Sequence, residues 1–108
     1  MIKCFASEED NLIDEQGGND ILFAGLGADT VLGDVGNDKV FGEDGNDSLG
    51  GGEGNDLVRA DAGDDTLNGG VGNDKLLADE GDDTLTGDLG FDTLTGGNGI
   101  DVFILTRN

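Results

Sequence analysis

A nine-residue period runs through this chain without insertion or deletion from Glu15 to Ile104. It restricts the fold before any single residue is weighed. The unit is cleanest at Gly69-Gly70-Val71-Gly72-Asn73-Asp74-Lys75-Leu76-Leu77. Its fourth place is always glycine: Gly18, Gly27, Gly36, Gly45, Gly54, Gly63, Gly72, Gly81, Gly90 and Gly99. Its sixth is always aspartate: Asp20, Asp29, Asp38, Asp47, Asp56, Asp65, Asp74, Asp83, Asp92 and Asp101. Its eighth is always apolar: Leu22, Val31, Val40, Leu49, Val58, Leu67, Leu76, Leu85, Leu94 and Phe103. Ten copies with three places fixed in type exclude chance, and the unbroken register excludes duplication followed by drift.

Each unit splits into two parts. The first six residues are turn material, because Gly, Asn and Asp tolerate positive φ. The last three, such as Lys39-Val40-Phe41 or Thr84-Leu85-Thr86, make a minimal strand with the middle side chain inward. Three residues cannot form a hairpin with a core of its own. They can form one rung of a parallel stack, turn–strand–turn–strand, with two units per coil and coils roughly 4.8 Å apart. The core is then a narrow column of eighth-place residues, too thin to bury much apolar area.

With 108 residues there is room for one small domain. The chain has 5 basic and 25 acidic residues, a formal charge of −20, and 22 glycines, with no proline, histidine, tryptophan or tyrosine. Such a composition ordinarily means disorder, since ordering glycine is costly and like charges repel. The regular aliphatic residue argues against disorder, and the two observations reconcile when folding requires a cation. Nucleic acid and anionic membranes are poor partners for this surface. Cys4 is single, so no intrachain disulfide forms. No stretch approaches the roughly 20 apolar residues of a membrane span. The start, Met1-Ile2-Lys3-Cys4-Phe5-Ala6, is too short and too soon acidic for a secretory signal peptide.

Stacking every second unit sets its aspartate above the one two units earlier. Carboxylates that close repel strongly unless neutralised. Glycine turns also expose backbone carbonyls. An oxygen-only site of carboxylates and carbonyls suits Ca²⁺; Zn²⁺ wants His or Cys, and Mg²⁺ keeps its waters.

These units closely resemble the nonapeptide repeats of the RTX (repeats-in-toxin, hemolysin-type calcium-binding) family, G-G-x-G-x-D-x-U-x. The resemblance covers about nine-tenths of the chain. It implies an all-β fold, a right-handed parallel β-roll (β-solenoid), with Ca²⁺ held between the turns of repeats i and i+2. It also implies that each ion takes an aspartate from each of two loops. The carbonyls come from the first and third places of one loop and the second and fourth of the other. The implied ligands are the ten sixth-place aspartates, the first-place glycines Gly33, Gly42, Gly51 and Gly69, and the fourth-place glycines Gly36, Gly45, Gly54, Gly63, Gly72 and Gly81. One edge pairs the loops starting at 15, 33, 51, 69 and 87; the other pairs those at 24, 42, 60, 78 and 96. Five loops per edge leave four gaps, hence about eight ions, whose charge of about +16 would leave roughly −4.

Some positions depart from the pattern. Ala24, Ala60 and Ala78, with Glu15, replace the first glycine, where only a carbonyl is required. Asp34, Asp61, Asp79, Asp88, Glu43 and Gln16 replace the second, and Glu43 and Gln16 are the less comfortable at positive φ. Phe91 and Ile100 take a fifth place that is mostly Asn or Asp, and belong with Val102, Phe103, Ile104 and Leu105 to an apolar end or a docking surface. The expected organisation is therefore an N-terminal cap with a degenerate repeat over 1–14, ten repeats over 15–104 and a tail over 105–108. In the degenerate repeat Asn11 and Ile13 keep the sixth and eighth places while Glu9 replaces glycine. A cap is favoured there over an extra metal site.

Seventh- and ninth-place residues point outward. Ile21, Phe23, Phe41, Leu57 and Leu77 make one sheet the more apolar: a stiffening ladder, or a surface for self-association, as the roll ends also are. Thr84-Leu85-Thr86 and Thr93-Leu94-Thr95 lie on opposite sheets and form no ice-binding array. With no histidine and no nucleophile–base set, the expectation is a non-catalytic module. Acid pairs such as Asp64-Asp65 and Asp82-Asp83 follow from the repeat. The expected function is Ca²⁺ binding coupled to folding, in a secreted, extracellular setting that the resemblance implies. The alternative is a calcium-stabilised structural or adhesive spacer, or an accessory module of a larger secreted protein.

Overall fold

Twelve three-residue strands stack into two parallel sheets in a computed structural model that describes the backbone of residues 3–5 and all of residues 8–104. The first sheet holds β1 (Lys3–Phe5), β3 (Ile21–Phe23), β5 (Lys39–Phe41), β7 (Leu57–Arg59), β9 (Lys75–Leu77) and β11 (Thr93–Thr95), in that order. The second runs β12 (Val102–Ile104), β10 (Thr84–Thr86), β8 (Thr66–Asn68), β6 (Ser48–Gly50), β4 (Thr30–Leu32), β2 (Leu12–Asp14). Paired residues lie two units apart, as in Val40↔Val58 and Leu49↔Leu67, so one coil is two repeats. No helix occurs among the described residues, and none is long and apolar enough to cross a membrane. The chain is a parallel β-roll.

The register explains the core. Leu22, Val31, Val40, Val58, Leu67, Leu76 and Leu85 are wholly buried, one per strand, with Leu49 and Ile13 nearly so. Each buried aliphatic contributes on the order of 1.5–3 kcal/mol. First-place Ala24, Ala60 and Ala78 extend this column at the turns, with no exposed surface. Seventh and ninth places face out, and Phe23 stacks on Phe41 with centroids 4.9 Å apart and an interplanar angle of 11°.

The degenerate repeat joins the stack despite its missing glycine. β2 pairs in register with β4, and Ile13 takes its place in the column. β1 likewise adds to β3. The cap expected over 1–14 thus includes two further rungs. Met1, Ile2, Ala6, Ser7 and the tail 105–108, including Leu105, lie outside the described residues.

The non-glycine second-place residues Asp34, Glu43, Asp61, Asp79 and Asp88 take positive φ, from 66° at Asp34 to 73° at Asp61. Glu43, with φ of 70°, is carried there by its neighbours. Gln16 avoids the left-handed region, which removes the strain anticipated for it.

Candidate metal centre

The loops preceding the first-sheet strands β3 to β11 form one edge of the roll, here the first edge, with Asp20, Asp38, Asp56, Asp74 and Asp92 in a row. The loops preceding β4 to β12 form the second, with Asp29, Asp47, Asp65, Asp83 and Asp101. The eight from Asp20 to Asp83 are buried, between 1 and 3% exposed, although the loops carrying them are at the surface.

One carboxylate oxygen of each aspartate is occupied in a ladder. The Asp38 N–H donates to Asp56 Oδ1 at 2.7 Å, and the Asp56 N–H to Asp74 Oδ1 at 2.8 Å. On the second edge the Asp47 N–H donates to Asp65 Oδ1 at 2.7 Å, and the Asp65 N–H to Asp83 Oδ1 at 2.8 Å. The other oxygen, Oδ2, of Asp29, Asp38, Asp47, Asp56, Asp65, Asp74 and Asp83 is buried without a hydrogen-bond partner. Leaving one buried acceptor unmet costs about 1–3 kcal/mol, and more when it is charged. Seven of them, three along the first edge and four along the second, need a physical reason.

Six of those carboxylates, Asp38, Asp47, Asp56, Asp65, Asp74 and Asp83, are pushed up as their isolation requires. Burial, only partly offset by the N–H that Asp29 donates and reinforced by that neighbour's charge, pushes Asp47 up to about 7. Burial raises Asp65 and Asp74 to about 7, and Asp56 and Asp83 to about 6, with the neighbouring row member again adding repulsion. Asp38 is raised for the same first reason. A buried anion with this bias is relieved by a proton or by a cation.

The surroundings fit a hard cation. A point one bond off the Gly33 Cα, where a Cβ would stand, lies 2.6 Å from Asp38 Oδ2 and 2.9 Å from the Gly51 carbonyl oxygen of the next loop. Carboxylate and carbonyl from successive loops therefore converge on one small volume, which glycine leaves open. Among the described residues no three His, Cys, Asp or Glu side chains cluster. The donor set is one or two carboxylates plus main-chain carbonyls, the oxygen chemistry that Ca²⁺ accepts. The third-place carbonyls of Glu53, Ala62, Val71, Glu80, Leu89 and Asn98 each accept one backbone bond, such as Gly54 N–H to Val71 O at 2.9 Å, and retain a second lone pair.

Fourth-place glycine has a separate reason. Its φ is 120° at Gly45, and a Cβ there would overlap the Gly27 carbonyl oxygen one coil below. Coils stack this closely only without a side chain.

The RTX calcium-binding nonapeptide repeat matches the chain in four overlapping copies, over residues 16–49, 41–76, 50–85 and 77–105. This chain belongs to the RTX calcium-binding repeat family. No curated protein and no solved structure matches it. The buried Oδ2 atoms of the sixth-place aspartates lie within the matched residues.

Sequence reasoning assigned the fifth place no role. Its side-chain oxygen accepts the N–H of the fifth-place residue one coil on: Asn37 N–H to Asn19 Oδ1, Asn55 to Asn37 and Asn73 to Asn55, all at 2.8 Å. On the second edge Asp64 N–H donates to Asn46 Oδ1 at 2.8 Å and Asp82 N–H to Asp64 Oδ1 at 2.9 Å. This ladder runs opposite to the aspartate ladder and braces the same turn. The recurrent amide or carboxylate one place before the sixth was its available signal. Arg59 was also missed. Its Nε lies 3.1 Å from Asp61 Oδ1 and 2.9 Å from Asp79 Oδ2, clipping two second-edge loops together. The hydrogen bond from Arg59 holds Asp79 below the usual carboxylate range, while burial and the neighbouring Asp79 raise Asp61.

Proposed function

We propose that this RTX chain is a calcium-binding module whose roll is completed by ions held between repeats i and i+2 along both edges. The row of buried, partnerless Oδ2 oxygens at one-coil spacing carries this reading. Four gaps between five loops on each edge give about eight ions. Calcium supplies the positive charge those oxygens lack and accepts the loop carbonyls beside them. Asp29, Asp38, Asp47, Asp56, Asp65, Asp74 and Asp83 would each turn Oδ2 to a site, and Asp20, Asp92 and Asp101 would complete the rows. First-place carbonyls such as that of Gly51 would supply further oxygens.

Binding energy is then folding energy. The thin apolar column and the formal charge of −20 leave the metal-free chain poorly placed to stay ordered. Each site joins two coils, so loading is cooperative along the stack. Such a switch suits an extracellular setting, where calcium is abundant, and that is the localisation proposed. No catalytic role is assigned.

Far-UV circular dichroism of chelator-treated protein, titrated with Ca²⁺ and in parallel with Mg²⁺, tests the reading. A steep coil-to-β transition with Ca²⁺ alone, saturating near eight ions per chain, is the expected result. A full β signal in excess chelator would remove the switch and leave calcium as mortar in a structural spacer.

A further inference from the structure

The first place of the repeat differs between the two edges. Along the first edge it is Glu15, Gly33, Gly51, Gly69 and Gly87; along the second it is Ala24, Gly42, Ala60, Ala78 and Gly96. The backbone is held alike in both kinds of loop. The first-place N–H donates to a carbonyl one coil on, from Gly33 to Gly50 at 3.0 Å, and from Gly51 to Asn68, Ala60 to Leu77 and Ala78 to Thr95 at 2.9 Å. A side chain at this place therefore leaves its Cα in the same direction in each loop.

At the glycines that direction leads to the carboxylate. A Cβ would stand 2.6 Å from Asp38 Oδ2 at Gly33, 2.7 Å from Asp47 Oδ2 at Gly42, 2.5 Å from Asp56 Oδ2 at Gly51 and 2.6 Å from Asp74 Oδ2 at Gly69. Glycine leaves this volume open. At Ala24, Ala60 and Ala78 a methyl group takes it, and all three residues are wholly buried, so the methyl is not turned out to solvent. The Oδ2 atoms of those same loops, on Asp29, Asp65 and Asp83, are as buried and as partnerless as those of the glycine loops.

A methyl and a cation do not share this volume. Calcium is held by about six to eight oxygens at roughly 2.3–2.6 Å, and a methyl carbon is not one of them. Where alanine stands, its methyl removes room beside Oδ2, so the carboxylate and the next loop's carbonyl cannot both close on a cation there. The methyl instead gains burial against the apolar column. Arg59 marks the same place independently. Its Nε bridges Asp61 at 3.1 Å and Asp79 at 2.9 Å, the residues that follow Ala60 and Ala78. A fixed positive charge thus spans the gap that has alanine on both sides.

We infer, on the calcium-binding reading above, that the first place sorts the sites into two classes: open sites at Gly33, Gly42, Gly51 and Gly69, which load first, and closed sites at Ala24, Ala60 and Ala78, which bind calcium more weakly and load last. Glu15 brings a carboxylate along with its Cβ and is not one of the closed sites. All of the closed sites lie on the second edge, and only Gly42 is open there. Rising calcium therefore fills the first edge ahead of the second, and the roll passes through a state loaded mainly along one edge.

Equilibrium dialysis of the 108-residue chain over a broad calcium range, counting bound ions, tests this, with far-UV circular dichroism on the same samples. The expected result is that about three ions bind only at calcium at least about tenfold above the rest. The double variant Ala60→Gly, Ala78→Gly opens two closed sites and is expected to move about two ions from the late class to the early one. A packing role alone has the opposite sign, since losing two buried methyls loosens the roll and shifts every ion to higher calcium. Ala24→Gly, in a different gap, is expected to move about one ion in the same direction. Sites that all fill together in the parent chain overturn the inference. So does a late class that keeps its number in both variants, or a shift of every ion to higher calcium in either. A chain that takes up no calcium overturns the calcium-binding reading as well, and the ion count tells that failure from eight equal sites.

Discussion

Along the first edge the fifth places are Asn19, Asn37, Asn55 and Asn73, an amide ladder without a break, and the third places include the exposed Val35, Val71 and Leu89. Along the second edge the fifth places are Ala28, Asn46, Asp64 and Asp82, and the second and third places gather Glu43, Asp44, Asp61, Asp79 and Glu80. A groove of about 610 Å³ runs past these acids, with Arg59 across its middle. Yet the aspartate rows beneath are alike in burial, ladder and partnerless oxygen. The aspartate rows are thus set by places four and six, while places two, three and five adjust the field around them. The fifth-place ladder of the first edge is neutral, and its second and third places hold fewer acids, Asp34, Glu53 and Asp88. The second carries extra negative charge and depends more on cations, of which Arg59 is one built in.

The largest expected effect falls on both edges equally, and an inequality would break the comparison at its root. Gly45→Ala on the second edge and Gly54→Ala on the first each drive a Cβ into the carbonyl of the coil below, at φ of 120° and 118°. Each is expected to cost about 3 kcal/mol or more in calcium, measured by chemical denaturation.

Removing one sixth-place charge comes next and should separate the edges. Asp56→Asn on the first edge is expected to raise the calcium midpoint about tenfold, since the nearest carboxylates are the row members alone. Asp65→Asn on the second edge should raise it only about threefold, because Asp64 keeps negative charge close by. Equal shifts would show that the outer acids do not reach the ions.

Acidity gives a smaller, signed effect. Asp47, Asp65 and Asp74 titrate near 7 and Asp56 and Asp83 near 6 in the roll, against 3.8 in an open chain. The metal-free roll binds the extra protons, so the stability they contribute is full below about pH 4 and is lost as pH rises through 6 to 7. In excess chelator the protonated chain should therefore show more β signal by far-UV circular dichroism at about pH 5 than at about pH 8. With calcium the trend reverses, because the same oxygens exchange protons for the ion.

Arg59→Gln should have the smallest effect. The guanidinium is half exposed and its ion pairs are solvent-screened. Releasing Asp61 and Asp79 is expected to lower the calcium midpoint roughly two- to threefold while slightly weakening the metal-free roll. A rise in the midpoint instead would make Arg59 a structural clip and nothing more.

The nine-residue period by itself determined the coil, the two sheets, the buried column and the two rows of aspartates. A fixed spacing with a three-residue strand has one parallel register, and Val40 must then lie over Val58. Calcium was legible too, from oxygen donors at regular spacing with no nitrogen or sulfur among them. What the tertiary structure alone decided lies in contacts between coils. Which oxygen of Asp56 takes the N–H and which stays bare depends on where the next coil sits. The acceptor role of Asn37 and the reach of Arg59 to Asp79 have the same origin. These join residues 18 to 20 apart, and the direction of each side chain across that step is set by stacking rather than by its own local sequence.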